Sequence, residues 1–220
     1  MTDLLLGIDV GTSASKAVLL DPDGVERARG QTATPWKRIA TGAEVECEAL
    51  FEAAVGAARA ALGRAAEGRV RAVGVTSMAE TGALLDRRGR PLAPAIAWHD
   101  GRGHDEAVRL AEELGADRFI ETTGLPVSPL CSLAKLRWLA EHGDIGTATR
   151  WLSVAEWVIR RLGGRDVAEL SLASRTGLLD LSARRPFADA LAWAGLPDDL
   201  LGELVPAGTA AGTARGAELP

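Results

Sequence analysis

GIDVGTSASKAVLL, residues 7–20, is the stretch that decides the fold of this chain. Its apolar residues lead to Asp9, a turn with Gly11 and three hydroxyl side chains follows, and the composition then returns to that of a strand. A short apolar run on each side of a tight turn predicts a β-hairpin. The acid and the hydroxyls at its tip indicate either a phosphate-binding turn or an ordinary hairpin with solvated side chains.

Two common phosphate-binding motifs do not fit this stretch. A Walker A loop has a second glycine directly before its lysine and a serine or threonine after it. Here Ser15 and Ala17 flank Lys16 instead. The dinucleotide fingerprint needs three closely spaced glycines between a strand and a helix, and Gly7 and Gly11 do not give that pattern.

The hairpin tip itself can form a phosphate site without a helix. Its backbone N–H groups and the hydroxyls of Thr12, Ser13 and Ser15 can enclose an anion. Asp9, at the end of the first strand, can then reach the Mg²⁺ that accompanies a nucleoside triphosphate.

Composition limits the partners of this chain. Its 220 residues, 47% of them hydrophobic, are enough to bury the core of one larger domain or of two small ones. A net charge of -5 without a basic block argues against nucleic acid and acidic membrane surfaces, so a small molecule is the expected partner. Cys47 and Cys131 are expected in the core of a reduced, cytoplasmic protein. Asp3 and Asp9 interrupt the apolar start, which therefore does not resemble a signal peptide, and no membrane span is expected.

Hydrophobic periodicity predicts strands first and helices later. Strands are predicted at 4–8, 16–20, from residue 25, and at 69–78, 82–86 and 95–98, with an amphipathic helix following residue 46. After residue 100, helical spacing predicts helices at 106–114, 132–141, 155–162 and 187–194. Glycines that stand as helix stops follow them, at positions 115, 143, 163 and 195.

Four stretches, in the same order, resemble segments of the FGGY carbohydrate kinases. Residues 7–24 are similar to the family's phosphate hairpin, and 73–102, ending in AIAWHDGR, to its substrate loop and Trp-x-Asp-x-Arg segment. Residues 123–139 (TGLPVSPLCSLAKLRWL) and 169–181 (ELSLASRTGLLDL) resemble two more. The family belongs to the actin, Hsp70 and sugar kinase superfamily. The resemblance therefore implies a ribonuclease H-like α/β fold, with a mixed central sheet flanked by helices and a helical insertion.

The resemblance also implies a domain organisation and a function. Residues 1–220 would form the N-terminal kinase domain: a sheet core mainly in 1–100, the helical insertion and remaining elements in 101–207, and a tail, 208–220, leading to a missing C-terminal domain. The implied function is the substrate-binding half of an ATP- and Mg²⁺-dependent carbohydrate kinase, with dimers common in the family. The family's general base and adenine pocket lie beyond the position of Pro220, so this chain alone is expected to be inactive. The alternative is a truncated, non-catalytic sugar-binding or regulatory relative.

The family's phosphate-binding positions match residues of the opening hairpin. Asp9 would bind Mg²⁺ directly or through water, and Gly11, Thr12 and Ser13 would lie near the terminal phosphate. Lys16 stands where the family often has a basic residue. An exposed strand lysine is the other interpretation of that position.

The family's sugar-binding positions match residues 79–102. Ala79 and Glu80 lie in the substrate loop, where a carboxylate can accept hydrogen bonds from two adjacent sugar hydroxyls. Trp98 matches the aromatic wall of the sugar pocket. Asp100 either contacts the substrate or pairs with Arg102 across the turn.

Three further features carry expectations of their own. Glycerol kinases have an arginine at the position of Ala79 and a tyrosine at that of Leu130, so their absence here predicts a five- or six-carbon sugar in preference to glycerol. His99 and His104 are expected to be solvated loop residues rather than metal ligands. Arg175 is expected to support the sugar site by hydrogen bonding.

Overall fold

The computed structural model describes residues 2–65 and 68–214 as an α/β fold, as the sequence predicts. The strands, numbered along the chain, are β1 Thr2–Val10, β2 Ala14–Leu20, β3 Glu26–Ala33, β4 Lys37–Ile39, β5 Gly42–Val45, β6 Gly68–Ser77, β7 Gly82–Asp86, β8 Ala95–Ile96, β9 Ala148–Ser153, β10 Val167–Glu169, β11 Leu179–Asp180, β12 Arg185–Pro186 and β13 Glu203–Val205. The helices are α1 Cys47–Leu62, α2 His104–Leu110, α3 Ala116–Thr123, α4 Ser132–His142, α5 Val154–Arg161, α6 Leu170–Ala173 and α7 Ala188–Trp193. Within the described residues, no helix is long and apolar enough to cross a membrane. Of the predicted tail, 208–214 is irregular and 215–220 lies outside the described residues.

Four strands form the main sheet, in the order β3-β2-β1-β6. The predicted hairpin is confirmed: β1 and β2 run antiparallel, with Asp9 opposite Lys16 and Val10 opposite Ser15. β6 pairs with the other edge of β1 in the parallel sense. Met78 continues the direction of β6, and its N–H donates to the Val10 carbonyl at 2.9 Å. The loop after β6 therefore begins beside the hairpin tip.

One face of this sheet is buried and the other is open. Alternate residues of β1 point into the core, where α1 and α5 cover them. The approach of α1 is close enough that a side chain at Gly30 would collide with the backbone of Ala57. On the opposite face Leu5, Gly7 and Asp9 are exposed. Asp9 is therefore presented on the open face, at the end of the strand.

The second half of the chain builds a separate, mostly helical core. Helices are found in each of the four segments where they are predicted after residue 100, and Cys47 and Cys131 are buried as expected. After α2 the chain forms a π-helical turn, Ala111–Gly115. The φ of +88° at Gly115 interrupts the helix there. Strands β4, β5, β9 and β10–β13 and helices α3 and α6 are not among the predicted elements. β9 pairs with β7.

Helix α5 begins with a reciprocal cap that involves a buried acid. The Glu156 carboxylate accepts the Ser153 N–H at 2.7 Å, and Ser153 Oγ accepts the Glu156 N–H at 3.3 Å. The second Glu156 oxygen accepts the Glu169 N–H at 2.7 Å, which ties β10 to the helix. Burial raises the pKa of Glu156 from its ordinary value of 4.5 to about 7, although these backbone hydrogen bonds favour its ionised form.

The raised pKa of Glu156 predicts a pH dependence of stability. A carboxyl group whose pKa is higher in the folded state stabilises the fold below pH 4.5, and this contribution is lost as the pH rises through about 7. From pH 5 to pH 8, the free energy of unfolding measured with urea should therefore fall further in the wild type than in Glu156→Gln. The expected difference is about 1–3 kcal/mol. Parallel pH profiles of the two proteins would contradict it.

Candidate functional site

The tip of the β1–β2 hairpin presents unengaged polar groups next to an exposed acid. The Gly11 N–H donates to the Ala14 carbonyl at 3.1 Å and closes the turn. Among the described residues, the N–H groups of Thr12 and Ser13 have no hydrogen-bond acceptor. A Cβ at Gly11 would lie 3.0 Å from the Ala14 carbonyl and 4.0 Å from the Asp9 carboxylate. Position 11 therefore leaves little space for a side chain, and the Asp9 carboxylate lies beside it.

Groups from outside the hairpin fix its tip through the backbone carbonyls. Thr34 donates its hydroxyl to the Gly11 carbonyl at 2.8 Å and its N–H to the Ser13 carbonyl at 3.1 Å. Trp36 donates its indole N–H to the Thr12 carbonyl at 2.6 Å. Because only carbonyls are used in these contacts, the N–H groups of Thr12 and Ser13 stay available.

The hydroxyl groups of the hairpin do not all lie on one side. Ser15 is fully buried on the core side of the sheet, so it does not join Thr12 and Ser13 at the tip as expected. Lys16, in contrast, is exposed and stands directly opposite Asp9, with both side chains on the open face. The predicted phosphate-binding residues are thus brought together, without Ser15.

Glu80 of the predicted substrate loop is held in an unusual backbone conformation. Its φ is +67°, in the left-handed region that few residues other than glycine adopt. The Ser132 hydroxyl donates to its backbone carbonyl at 3.0 Å, and Arg175 donates to its carboxylate at 2.9 Å. Arg175 therefore acts through Glu80, and Ala79 lies half-buried beside it. Strain of this kind concentrates at functional sites.

Trp98 contacts the hairpin tip. Its ring is half-buried, and its indole N–H donates to Thr12 Oγ1 at 3.0 Å. His99 is an exposed loop residue whose ring meets those of Trp98 and Trp36 edge-on, at centroid distances of 5.2 and 6.2 Å. The predicted sugar wall therefore contacts the predicted phosphate hairpin directly.

Asp100 and Arg102 form a buried ion pair. Arg102 donates to both carboxylate oxygens, through Nε at 2.9 Å and Nη2 at 3.0 Å, and the Ala43 N–H donates at 2.8 Å. Burial opposes the ionised carboxylate, but the hydrogen bonds from Arg102 outweigh it and hold the pKa of Asp100 below its usual value. Arg102 also binds Glu44 at 3.0 Å. The structure thus contains the pairing across the turn, and a substrate contact by Asp100 stays a prediction.

Lys135 is a residue of this region that the sequence did not reveal. Its ammonium group is buried and donates to the carbonyls of Trp98, Pro129 and Leu130 at 3.0, 2.6 and 3.1 Å. Burial lowers its pKa to about 8. The sequence carried no clear signal for it, because five consecutive residues at the start of α4, Ser132 to Leu136, are buried and so mark no single face of the helix.

Comparison with known proteins identifies relatives of this chain. The chain is 30% identical over 94% of its length to a gluconokinase from Bacillus subtilis, and 32% identical over 98% to a glycerol kinase from Rhizorhabdus wittichii. It spans 41% and 45% of those two proteins, less than half of each. A xylulose kinase from Rhodospirillum rubrum superposes with a TM-score of 0.92 at 27% identity, covering 99% of this chain and 46% of that one. The predicted ribonuclease H-like sugar kinase fold is confirmed.

The family model that matches the sequence covers almost all of it. Residues 4–217 match the N-terminal domain of the FGGY carbohydrate kinases, a family whose members use ATP, generally with Mg²⁺. The four motifs that suggested the resemblance lie within this range. The chain therefore belongs to the FGGY family of carbohydrate kinases and corresponds to their N-terminal domain.

Proposed function

We propose that this chain is the sugar-binding half of a cytoplasmic kinase that transfers the γ-phosphoryl group of ATP to a hydroxyl of a five- or six-carbon sugar. The observation that carries the proposal is the contact between the two predicted half-sites, in which Trp98 donates to Thr12 at 3.0 Å. A sugar against Trp98 and a phosphate at the hairpin tip would be neighbours. Holding two reactants in such proximity is a large part of phosphoryl-transfer catalysis.

The donor set at the tip fits a magnesium-bound phosphate. Asp9 supplies an exposed carboxylate oxygen, which is the ligand type Mg²⁺ prefers. The N–H groups of Thr12 and Ser13 and the ammonium group of Lys16 supply donors for phosphate oxygens. Bound there, Mg²⁺ would neutralise charge on the phosphates. These groups share the tip and open face of the sheet.

The open sheet face also supports a partner domain. The open face of β1 leaves the apolar side chain of Leu5 42% exposed, together with Gly7 and Asp9. We propose that a C-terminal kinase domain, which would carry the general base and the adenine pocket, closes over the hairpin from this side. The greater length of the relatives supports this assembly.

The substrate loop supports a polyhydroxylated substrate. Arg175 and Ser132 hold Glu80 in place, so its carboxylate is positioned before substrate arrives. A preorganised carboxylate can accept two adjacent hydroxyls, as a sugar offers. Ala79 provides no cation, and Leu130 no hydroxyl, for the shorter polyol glycerol. The part of Asp100 in substrate binding is proposed to be indirect, because its side chain is 0% exposed and paired with Arg102.

A substrate panel tests this proposal. The complete kinase, with this chain joined to its C-terminal half, should phosphorylate D-xylulose or D-gluconate with a kcat/KM at least about tenfold above that for glycerol. Glu80→Gln should raise the sugar KM about 10–100-fold, because a hydrogen bond to a charged acceptor contributes about 1.5–3 kcal/mol. The assay is sugar-dependent ADP release.

Two controls make the panel decisive. Glu121→Gln, at an exposed position of α3, should leave kcat and KM unchanged. The 220-residue chain by itself should release no ADP, since this proposal assigns the general base to the C-terminal domain. Glycerol as the best substrate would overturn the sugar assignment, and a complete protein that binds sugar without phosphorylating it would favour the non-catalytic alternative.

A further inference from the structure

The hydrogen bond between Trp98 and Thr12 differs from the others at the hairpin tip. Thr34 and Trp36 bind backbone carbonyls, which only fix the shape of the turn. Trp98 instead donates to a side-chain hydroxyl, at 3.0 Å. It therefore changes what that hydroxyl can do.

The hydroxyl of Thr12 has one proton and two acceptor sites. Because the indole N–H of Trp98 occupies an acceptor site, the proton of Thr12 must point elsewhere. Within the described residues its one acceptor is the sulfur of Met78, at 3.8 Å, which is a weak partner. A phosphate oxygen at the tip would be a much stronger one, and a hydroxyl that accepts a hydrogen bond becomes a better donor.

The other side of Trp98 is fixed independently of the hairpin. Its backbone carbonyl accepts from the buried ammonium group of Lys135 at 3.0 Å, which anchors the residue to α4. Trp98 is therefore held at its backbone by α4 and at its ring by the hairpin. A sugar packed against the ring would hold its N–H on Thr12 more firmly.

We propose that Trp98 and Thr12 form a positioning pair through which sugar binding orients the Thr12 hydroxyl toward the phosphate, so that sugar and nucleotide bind cooperatively. This inference rests on the proposed kinase function. No bond is made or broken in the pair. Its effect is to favour one orientation of one hydroxyl proton, and by linkage each ligand must strengthen the other equally.

The test is a double-mutant cycle in the complete kinase. Thr12→Val removes the hydroxyl at constant shape, Trp98→Phe removes the N–H and keeps an aromatic wall, and Thr12→Ser keeps the hydroxyl. Calorimetry gives the affinity for the best sugar of the panel with and without the ATP analogue AMP-PNP. We expect the analogue to tighten sugar binding about fivefold in the wild type and in Thr12→Ser, the factor associated with one neutral hydrogen bond. In Thr12→Val, in Trp98→Phe and in the double variant the factor should fall to about 1.

The outcomes separate this inference from the function on which it rests. Thr12→Val should raise the sugar KM, although Thr12 is assigned to phosphate binding and not to sugar binding. Additive effects in the double variant, or a wild type without cooperativity, would overturn the positioning pair and leave the kinase function standing. A wild type that phosphorylates no sugar of the panel would overturn both. Thr12→Val alone decides the question if Trp98→Phe does not fold.

Discussion

Replacing Asp9 with asparagine should lower the kcat of the complete kinase by about 10³-fold or more. The carboxylate is the acid that the hairpin presents beside its unengaged N–H groups, and an amide cannot supply the charge that Mg²⁺ requires. Loss of one preorganised electrostatic contact to a transferring group typically has an effect of about this size. ADP release at saturating sugar and ATP measures it.

The same variant should fold as well as the wild type. Asp9 is exposed, so thermal unfolding should show an unchanged midpoint. Asp3→Asn is the matched control, because Asp3 lies on the same strand and the same open face but pairs with Arg71 at 2.8 Å. Its kcat should equal that of the wild type. An Asp9→Asn enzyme with wild-type kcat would remove Asp9 from the phosphate site.

Replacing Arg102 with methionine should reduce the free energy of unfolding by about 3–5 kcal/mol. The substitution leaves the Asp100 carboxylate, whose side chain is 0% exposed, without its bidentate partner. It also removes the contact to Glu44 and the cation above the Trp138 ring, 5.2 Å from its centroid. Urea unfolding of the chain at pH 7 measures the change.

An exposed pair on the same protein provides the comparison. Arg71→Met breaks the bridge to Asp3, whose side chains are 49% and 47% exposed, and should change the free energy of unfolding by less than about 1 kcal/mol. Because the pKa of Asp100 is lowered in the fold, its contribution is present above the ordinary aspartate pKa and is lost as the pH falls through the lowered one. Equal effects of the two arginine variants would show that the buried pair has no special role.

Local signals in the sequence predicted the hairpin and most of the helices. The turn at Gly11 and the short apolar runs on both sides of it are short-range features, and the chain folds there as expected. The helix following residue 46 is equally local, since its buried face repeats with helical spacing. The placement of Asp9 on the exposed side of β1 follows from the two-residue period of side chains along a strand.

Long-range partners could not be predicted from patterns of this kind. Strand β9 pairs with β7, and the paired residues Leu152 and Ala83 are far apart in sequence. Neither segment contains a local pattern that identifies the other as its partner. Ser15 was assigned to the tip by composition, but the two-residue period of the strand turns it into the core. The three carbonyls around the ammonium group of Lys135 likewise come together only in the fold.

The order of the strands along the chain has a consequence for synthesis on the ribosome. All four strands of the main sheet lie in the first 77 residues, and the contacts to the backbone carbonyls of the hairpin tip are complete once Trp36 has emerged. The substrate loop instead waits for Arg175, which is 95 residues beyond Glu80. At about 5–20 residues per second, that interval is about 5–20 s. The β1–β2 hairpin can therefore form well before the loop at Glu80 acquires its support, and a nascent chain passes through a stage in which the first is built and the second is still open.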